Sequence, residues 1–169
     1  MSDALRPLTL PHEVEIRRAT EGQLEAILAL VRGGRVRCEA SQVSPTAAPA
    51  TPLASGYVAA FQTIMRSEHD ELMVALYHGA VIGTFHLTWL HYLAAAGRPD
   101  LQIEAVHVAS AFRGRGIGGI MMSWAIERAK ARGSRRVQLT TDKARLDAHR
   151  FYQRLGFVPT HEGMKLVLG

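Results

Sequence analysis

The chain has a single cysteine, Cys38, so it cannot close an internal disulfide. That excludes the stapled small-domain class and suits a reducing, cytoplasmic compartment. Lysine is scarce too, confined to Lys130, Lys143 and Lys165, so nearly all of the 20 basic residues are arginine. No apolar run approaches the ~20 residues that a membrane-spanning helix needs. Met1 to Pro7 lacks the uninterrupted apolar stretch of a secretion signal. There is no internal repeat and no extended charge run, and the 8 histidines show no metal-ligand spacing. These absences together predict a soluble cytoplasmic protein that needs no metal and no membrane.

What is present is ordinary in bulk. With 169 residues, 47% hydrophobic and 21% charged, residues 1–169 fit one domain with a core of its own. The net charge of +5 points to an anionic partner. Arginine's planar fork suits phosphate, so nucleic acid and phosphorylated cofactors both fit at this stage. A biased genomic base composition would enrich arginine as well.

The hydrophobic pattern divides the chain into short alternating elements. Val14 to Ala19 reads as a strand. Thr20 and Gln23 then form a capping box ahead of a helix with Leu24, Ile27, Leu28 and Val31 on one face, closed by Gly33 and Gly34. Residues 39–56 are rich in Ala, Ser, Thr and Pro and predict a long surface loop, either a binding segment or disordered. A second helix follows from about Gly56 to His69. Leu72 to Tyr77, Val81 to Trp89 and Leu101 to Ala109 read as three strands, and Ala94 to Asp100 as a loop. Next come a glycine-rich turn, a helix ending at Gly133, a strand from Arg136 to Thr141 and a short helix from Leu146 to Leu155. The alternating Met164, Leu166 and Leu168 predict a last strand, and Phe157 to Pro159 is a candidate for one more. This order predicts an α/β fold with a mixed sheet.

The informative segment is Arg113-Gly114-Arg115-Gly116-Ile117-Gly118-Gly119, placed between a strand and a helix. Glycine permits close backbone approach, and the first N–H groups of a helix lack internal acceptors at its dipole-positive end. With Arg113 and Arg115 beside them, these amides describe a pyrophosphate site. Two readings compete with it. From Gly114 the residues fit the G-x-G-x-x-G dinucleotide fingerprint, with Asp142 downstream. However, Ser110 to Arg113 separate the turn from its strand, and too little chain remains for the further βα units of that fold. An arginine-glycine surface turn touching nucleic acid is the other, and such a turn has no need of a flanking strand and helix.

Read from Arg113, the segment fits [Q/R]-x-x-G-x-[G/A], with Arg113, Gly116 and Gly118 in the defining positions. This resembles the signature of the GNAT superfamily of N-acetyltransferases. Ile103 to Val108 looks like the strand preceding that signature, and Ala148-His149-Arg150-Phe151-Tyr152-Gln153-Arg154-Leu155-Gly156-Phe157 looks like the family's later A-x-x-F-Y-x-x-x-G-F block. The match covers about residues 101 to 168, and Arg145 stands where many members carry an asparagine. The resemblance implies a mixed, largely antiparallel central sheet flanked by helices and splayed between its two central strands. It implies acetyl-CoA in that splay as acyl donor, and no metal. Val106, His107 and Val108 would serve the cofactor from the strand, with backbone groups of Val106 and Val108 on the pantetheine arm. The N–H groups of Arg113, Gly114, Arg115, Gly116, Ile117, Gly118 and Gly119 would hold the pyrophosphate.

The family transfers its acetyl group directly to an amine in a ternary complex, which makes Cys38 a bystander. Glu104 is the candidate general base, either directly or through water. On a regular strand it shares a face with Gln102, Val106 and Val108, and burial on that mostly apolar face would raise its pKa. The same carboxylate would alternatively bind a cationic substrate or an arginine. His107 on a regular strand points to the opposite face, into the core. Tyr152, in the F-Y pair, is the candidate general acid, against a purely packing role. His86 and His91 take no role. The acceptor, a small-molecule or protein amine, is left open by the sequence, and dimerisation, common in the family, has no interface signature here. A non-catalytic acyl-CoA-binding module is the alternative function, and a nucleic-acid binder with strongly salt-dependent affinity the third.

Overall fold

The computed structural model describes residues 13–33 and 54–168. Cys38 and most of the 39–56 segment lie outside the described residues. The chain runs β1 (Val14–Arg18), α1 (Leu24–Gly33), α2 (Ser55–Arg66), β2 (Asp70–Tyr77), β3 (Ala80–Leu90), β4 (Asp100–Val108), α3 (Ile117–Ala131), β5 (Val137–Leu139) and α4 (Leu146–Arg154). The strands form one sheet in the order β1-β2-β3-β4-β5. The first four pair antiparallel with their neighbours, and β5 pairs parallel with β4 after a crossover through α3.

Two cores follow from side-chain alternation on β2, which is buried on both faces. Leu72, Val74 and Leu76 meet Leu24, Ile27 and Leu28 of α1 and Phe61 of α2. On the other face Met73 and Ala75 join Phe85, Leu87, Leu101 and Ile103 beneath Ile117, Met121, Met122 and Ala125 of α3. The capping box ahead of α1 is present, with the Thr20 amide donating to Gln23 Oε1 at 3.0 Å. No described helix is long and apolar enough to cross a membrane.

The predicted last strand is absent. Residues 157–168 contain no strand, and Met164, Leu166, Val167 and Leu168 are each more than four-fifths exposed. Alternation produces a strand only where a neighbouring edge takes up its backbone groups. Here neither parity of the segment is covered. As a result β5 is the edge strand of the described sheet rather than a central one.

Two buried carboxylates tie the layers together. Glu71 on β2 accepts from Arg128 Nη2 at 2.8 Å and Arg132 Nη2 at 2.7 Å, both reaching down from α3. Asp100, at the start of β4 and fully buried, accepts from Arg135 Nη2 at 2.9 Å and Arg136 Nε at 2.8 Å, just before β5. Burial pushes both carboxyls up, and the guanidinium hydrogen bonds and charges outweigh it, so both titrate below their ordinary values. Their stabilisation is therefore complete above the unfolded carboxylate range near pH 4 and is lost as pH falls through the lowered folded values. Thermal melts between pH 7 and pH 2 should show a Tm that drops below about pH 4. A Tm that stays flat through that window would contradict this account.

Candidate active site

The site is set by where β4 and β5 stop pairing. Their ladder spans only Leu101↔Val137, Gln102↔Gln138 and Ile103↔Leu139. Asp100 and its two arginines clamp the closed end. From Glu104 to Val108 that edge of β4 has no strand partner among the described residues, and the strands part.

At the point of divergence β4 carries a bulge. Its pairing with β3 passes from His86↔Glu104 directly to Thr84↔His107, so Ala105 and Val106 together oppose Phe85. Ala105 has φ 49°, a left-handed conformation that costs a non-glycine residue about 1–3 kcal/mol. Strain of this kind marks a place that the surrounding structure holds on purpose.

The bulge corrects two expectations based on a regular strand. Directly opposed residues share a face. Val108 opposes Gly83, which faces Met121 of α3, and Val106 packs against the α3-side core. Gln102, Glu104 and His107 oppose Thr88, His86 and Thr84 on the other face. Glu104 therefore does not share a face with Val106 and Val108, while His107 does share its face. Glu104 is also exposed rather than buried. One extra residue inverts everything after it.

Beyond β4 the chain makes a tight turn over Ser110 to Phe112 and enters α3. Gly116 caps the helix at φ 82°, a left-handed position open to glycine at no steric cost. The amides of Gly114, Arg115, Gly116, Ile117, Gly118 and Gly119 donate to no backbone carbonyl among the described residues. The arrangement fits a pyrophosphate: donors, dipole and nearby cations, with no acidic residue in the first turn of α3. Arg115 adds a guanidinium 5.9 Å from the Phe112 ring centre. Arg113 is placed differently from its neighbours. Its amide donates to Ser110 O at 3.2 Å and its Nε to Val108 O at 3.1 Å, so it clasps the turn to the end of β4. The Val108 carbonyl is thereby occupied as well.

The later block packs α4 against α3. Ala148 is buried, and a Cβ on Gly118 would stand 3.3 Å from Phe151 Cζ, so the two helices meet at that glycine. Gly156 ends the block at φ 90°, and the Phe157 amide donates to Tyr152 O at 3.1 Å. The Tyr152 ring stands edge-on to Phe151 and Phe157, with centroids 5.1 and 5.9 Å away. Burial pushes its phenol up, with the Arg145 charge pulling weakly the other way. Tyr152 thus stays protonated at neutral pH, as a proton donor must. Arg145 itself makes no side-chain cap to α4.

One feature of the site had no signal in the sequence. On the Glu104 face, Asp70, Thr88, Gln102 and Gln138 stand in register across four strands. Thr88 donates to Asp70 at 2.8 Å, and Gln138 to Gln102 at 2.9 Å. His86, one row further along, reaches back to the same Asp70. Pairing across strands is a tertiary fact, and nothing in the spacing of these residues announces it. Among the described residues no group of His, Cys, Asp and Glu is arranged to hold a metal.

Comparison with known proteins shows which family the chain belongs to. An aminoalkylphosphonate N-acetyltransferase of Salmonella typhimurium is 35% identical over 88 residues, covering 52% of this chain and 56% of that protein. The chain spans about half the length of the curated relatives it matches. Among solved structures, one described as a transcriptional regulator from Bacillus halodurans superposes with a TM-score of 0.81 at 41% identity, covering 92% of this chain and 99% of that one. A putative acetyltransferase from Agrobacterium tumefaciens gives 0.76 at 28% identity, covering 91% and 99%. Residues 40–157 match the Acetyltransferase (GNAT) family. That span takes in the bulged strand, the amide-lined turn and the α4 block, and the chain belongs to the GNAT acetyltransferase family.

Proposed function

We propose that the protein is an acetyl-CoA-dependent N-acetyltransferase acting on a primary amine by direct transfer in a ternary complex. The observation that carries this reading is the run of unengaged amides from Gly114 to Gly119, at the acid-free end of α3 and beside the gap between β4 and β5. Acetyl-CoA supplies an acetyl group activated as a thioester. Val106, His107 and Val108 lie along the open stretch of β4, where backbone groups other than the Arg113-bound Val108 carbonyl reach the pantetheine arm. Glu104, exposed at the vertex, draws in the ammonium form of the acceptor. Tyr152 donates a proton to the departing sulfur.

Reversing the charge at Arg115 tests the diphosphate placement. Arg115→Glu should weaken CoA binding about tenfold or more in calorimetry, since one charged hydrogen-bonding partner contributes ~1.5–3 kcal/mol. An unchanged affinity would move the diphosphate elsewhere. Tyr152→Phe should lower kcat about 100-fold while the CoA Kd holds, the size expected for loss of a general acid. A parallel loss of CoA affinity would make Tyr152 a packing residue only. The acceptor is best sought by mass spectrometry with acetyl-CoA and pooled amines. The Salmonella relative's name puts aminoalkylphosphonates in that pool. Binding without turnover on any amine would favour a non-catalytic acyl-CoA-binding module instead.

A further inference from the structure

We infer that His86, held by Asp70, is the group that removes the acceptor's proton, and that Glu104 binds the ammonium. The inference rests on the acetyltransferase reading and deepens it. His86 and Glu104 are directly opposed on β3 and β4, on the same face, one residue before the Ala105 bulge where β4 leaves β5. Unlike the exposed Glu104, His86 is largely enclosed, with its side chain 19% accessible.

Its partner is built for the purpose. Asp70 opens β2, and its Oδ1 lies 3.0 Å from His86 Nε2. The two atoms are within ion-pair distance but not in hydrogen-bond alignment, and Nε2 is buried with no other partner among the described residues. Ser67 donates to Asp70 Oδ2 at 2.7 Å and Thr88 to Oδ1 at 2.8 Å. Burial pushes the Asp70 carboxyl up, and these hydrogen bonds together with His86 outweigh it, so Asp70 is ionised at neutral pH. An anion fixed beside Nε2 favours the tautomer protonated there and leaves Nδ1 as the basic nitrogen. Arg18 of β1 is also close, with its Nη2 donating to the Asp70 main-chain carbonyl at 3.3 Å.

The proton balance is simple. The acceptor arrives as R–NH3+ and pairs with Glu104. His86 Nδ1 takes one proton, leaving R–NH2 with a lone pair for the acetyl carbon, and the imidazolium formed is stabilised by Asp70. Tyr152 protonates the departing sulfur, and the second nitrogen proton, lost as the amide forms, restores the Tyr152 phenol. The His86 imidazolium returns its proton to water. Asp70 is a positioning residue, since it acts only through His86.

The test uses His86→Gln, which keeps a donor near the Nε2 position and removes the basic nitrogen. It should lower kcat about 100-fold at saturating acceptor, with CoA affinity by calorimetry unchanged. Glu104→Gln should instead raise the acceptor KM and largely spare kcat. In the ligand-free protein, imidazole 15N shifts should report the Nε2–H tautomer for neutral His86, and Asp70→Asn should convert it to a mixture. A wild-type kcat in His86→Gln, or an Nδ1–H tautomer in the wild type, would overturn the assignment while leaving the acetyltransferase reading in place. Absence of CoA binding in the wild type would overturn that reading instead. If His86→Gln melts early, the tautomer measurement decides alone.

Discussion

Gly116→Val should weaken CoA binding about 10- to 100-fold while the circular dichroism spectrum stays that of the wild type. Gly116 sits at φ 82° immediately before α3. A β-branched side chain in that conformation costs about 1–3 kcal/mol, and the turn escapes the strain by rotating its peptide planes. That rotation turns the amides from Gly114 to Gly119 away from a common point. Binding CoA must then restore the strained form, so the strain appears as lost affinity. No neighbouring atom lies within 4 Å of a Cβ at Gly116, so steric exclusion in the free protein is not the cause. Gly22 is a suitable control: its position is also open, with no positive φ. Gly22→Val should leave CoA affinity untouched. Equal affinity for wild type and Gly116→Val would mean that the diphosphate does not depend on this turn.

Asp100→Asn should lower the Tm by about 10 °C at pH 7. Removing one partner of a buried ion pair costs ~3–5 kcal/mol, and a domain of this size loses roughly 2–4 °C per kcal/mol. The lower end applies, because Arg135 and Arg136 are about half exposed and can turn to water. The change is nearly isosteric, so the loss reports charge and hydrogen bonding rather than packing. Since the wild-type carboxylate is itself neutralised in acid, the gap between the two proteins should narrow as pH falls through its lowered folded value. A secondary effect is expected on function. Asp100 clamps the closed end of the β4–β5 divergence, so CoA affinity should fall as well. A Tm within a degree of wild type would show that the short β4–β5 ladder holds without the clamp.

Much of this molecule was legible in the sequence, for reasons that are local. The capping box at Thr20 and Gln23 acts within one turn of chain, and it is there. The turn from Arg113 to Gly119 could be read because helix-start amides and glycine dihedrals depend only on immediate neighbours. The F-Y and G-F pairs of the later block have visible structural reasons in the Phe151–Gly118 contact and the Gly156 turn. The alternating tail at Met164, Leu166 and Leu168 failed as a strand because pairing needs an edge, which alternation does not supply.

The amino-acid sequence by itself determined the element order from β1 to α4, the apolar run of β2 and the glycine-rich start of α3. Each of these is fixed by side-chain periodicity or by backbone chemistry within a few residues. Only the tertiary structure decided which side chains share the face of Glu104. A single bulged alanine, stabilised by the neighbouring strand and by no feature of its own, turned Val106 and Val108 toward α3 and His107 toward Glu104. Antiparallel pairing of β2 with β3 likewise brought Asp70 to His86, and that contact depends on the register the two strands take up when they meet.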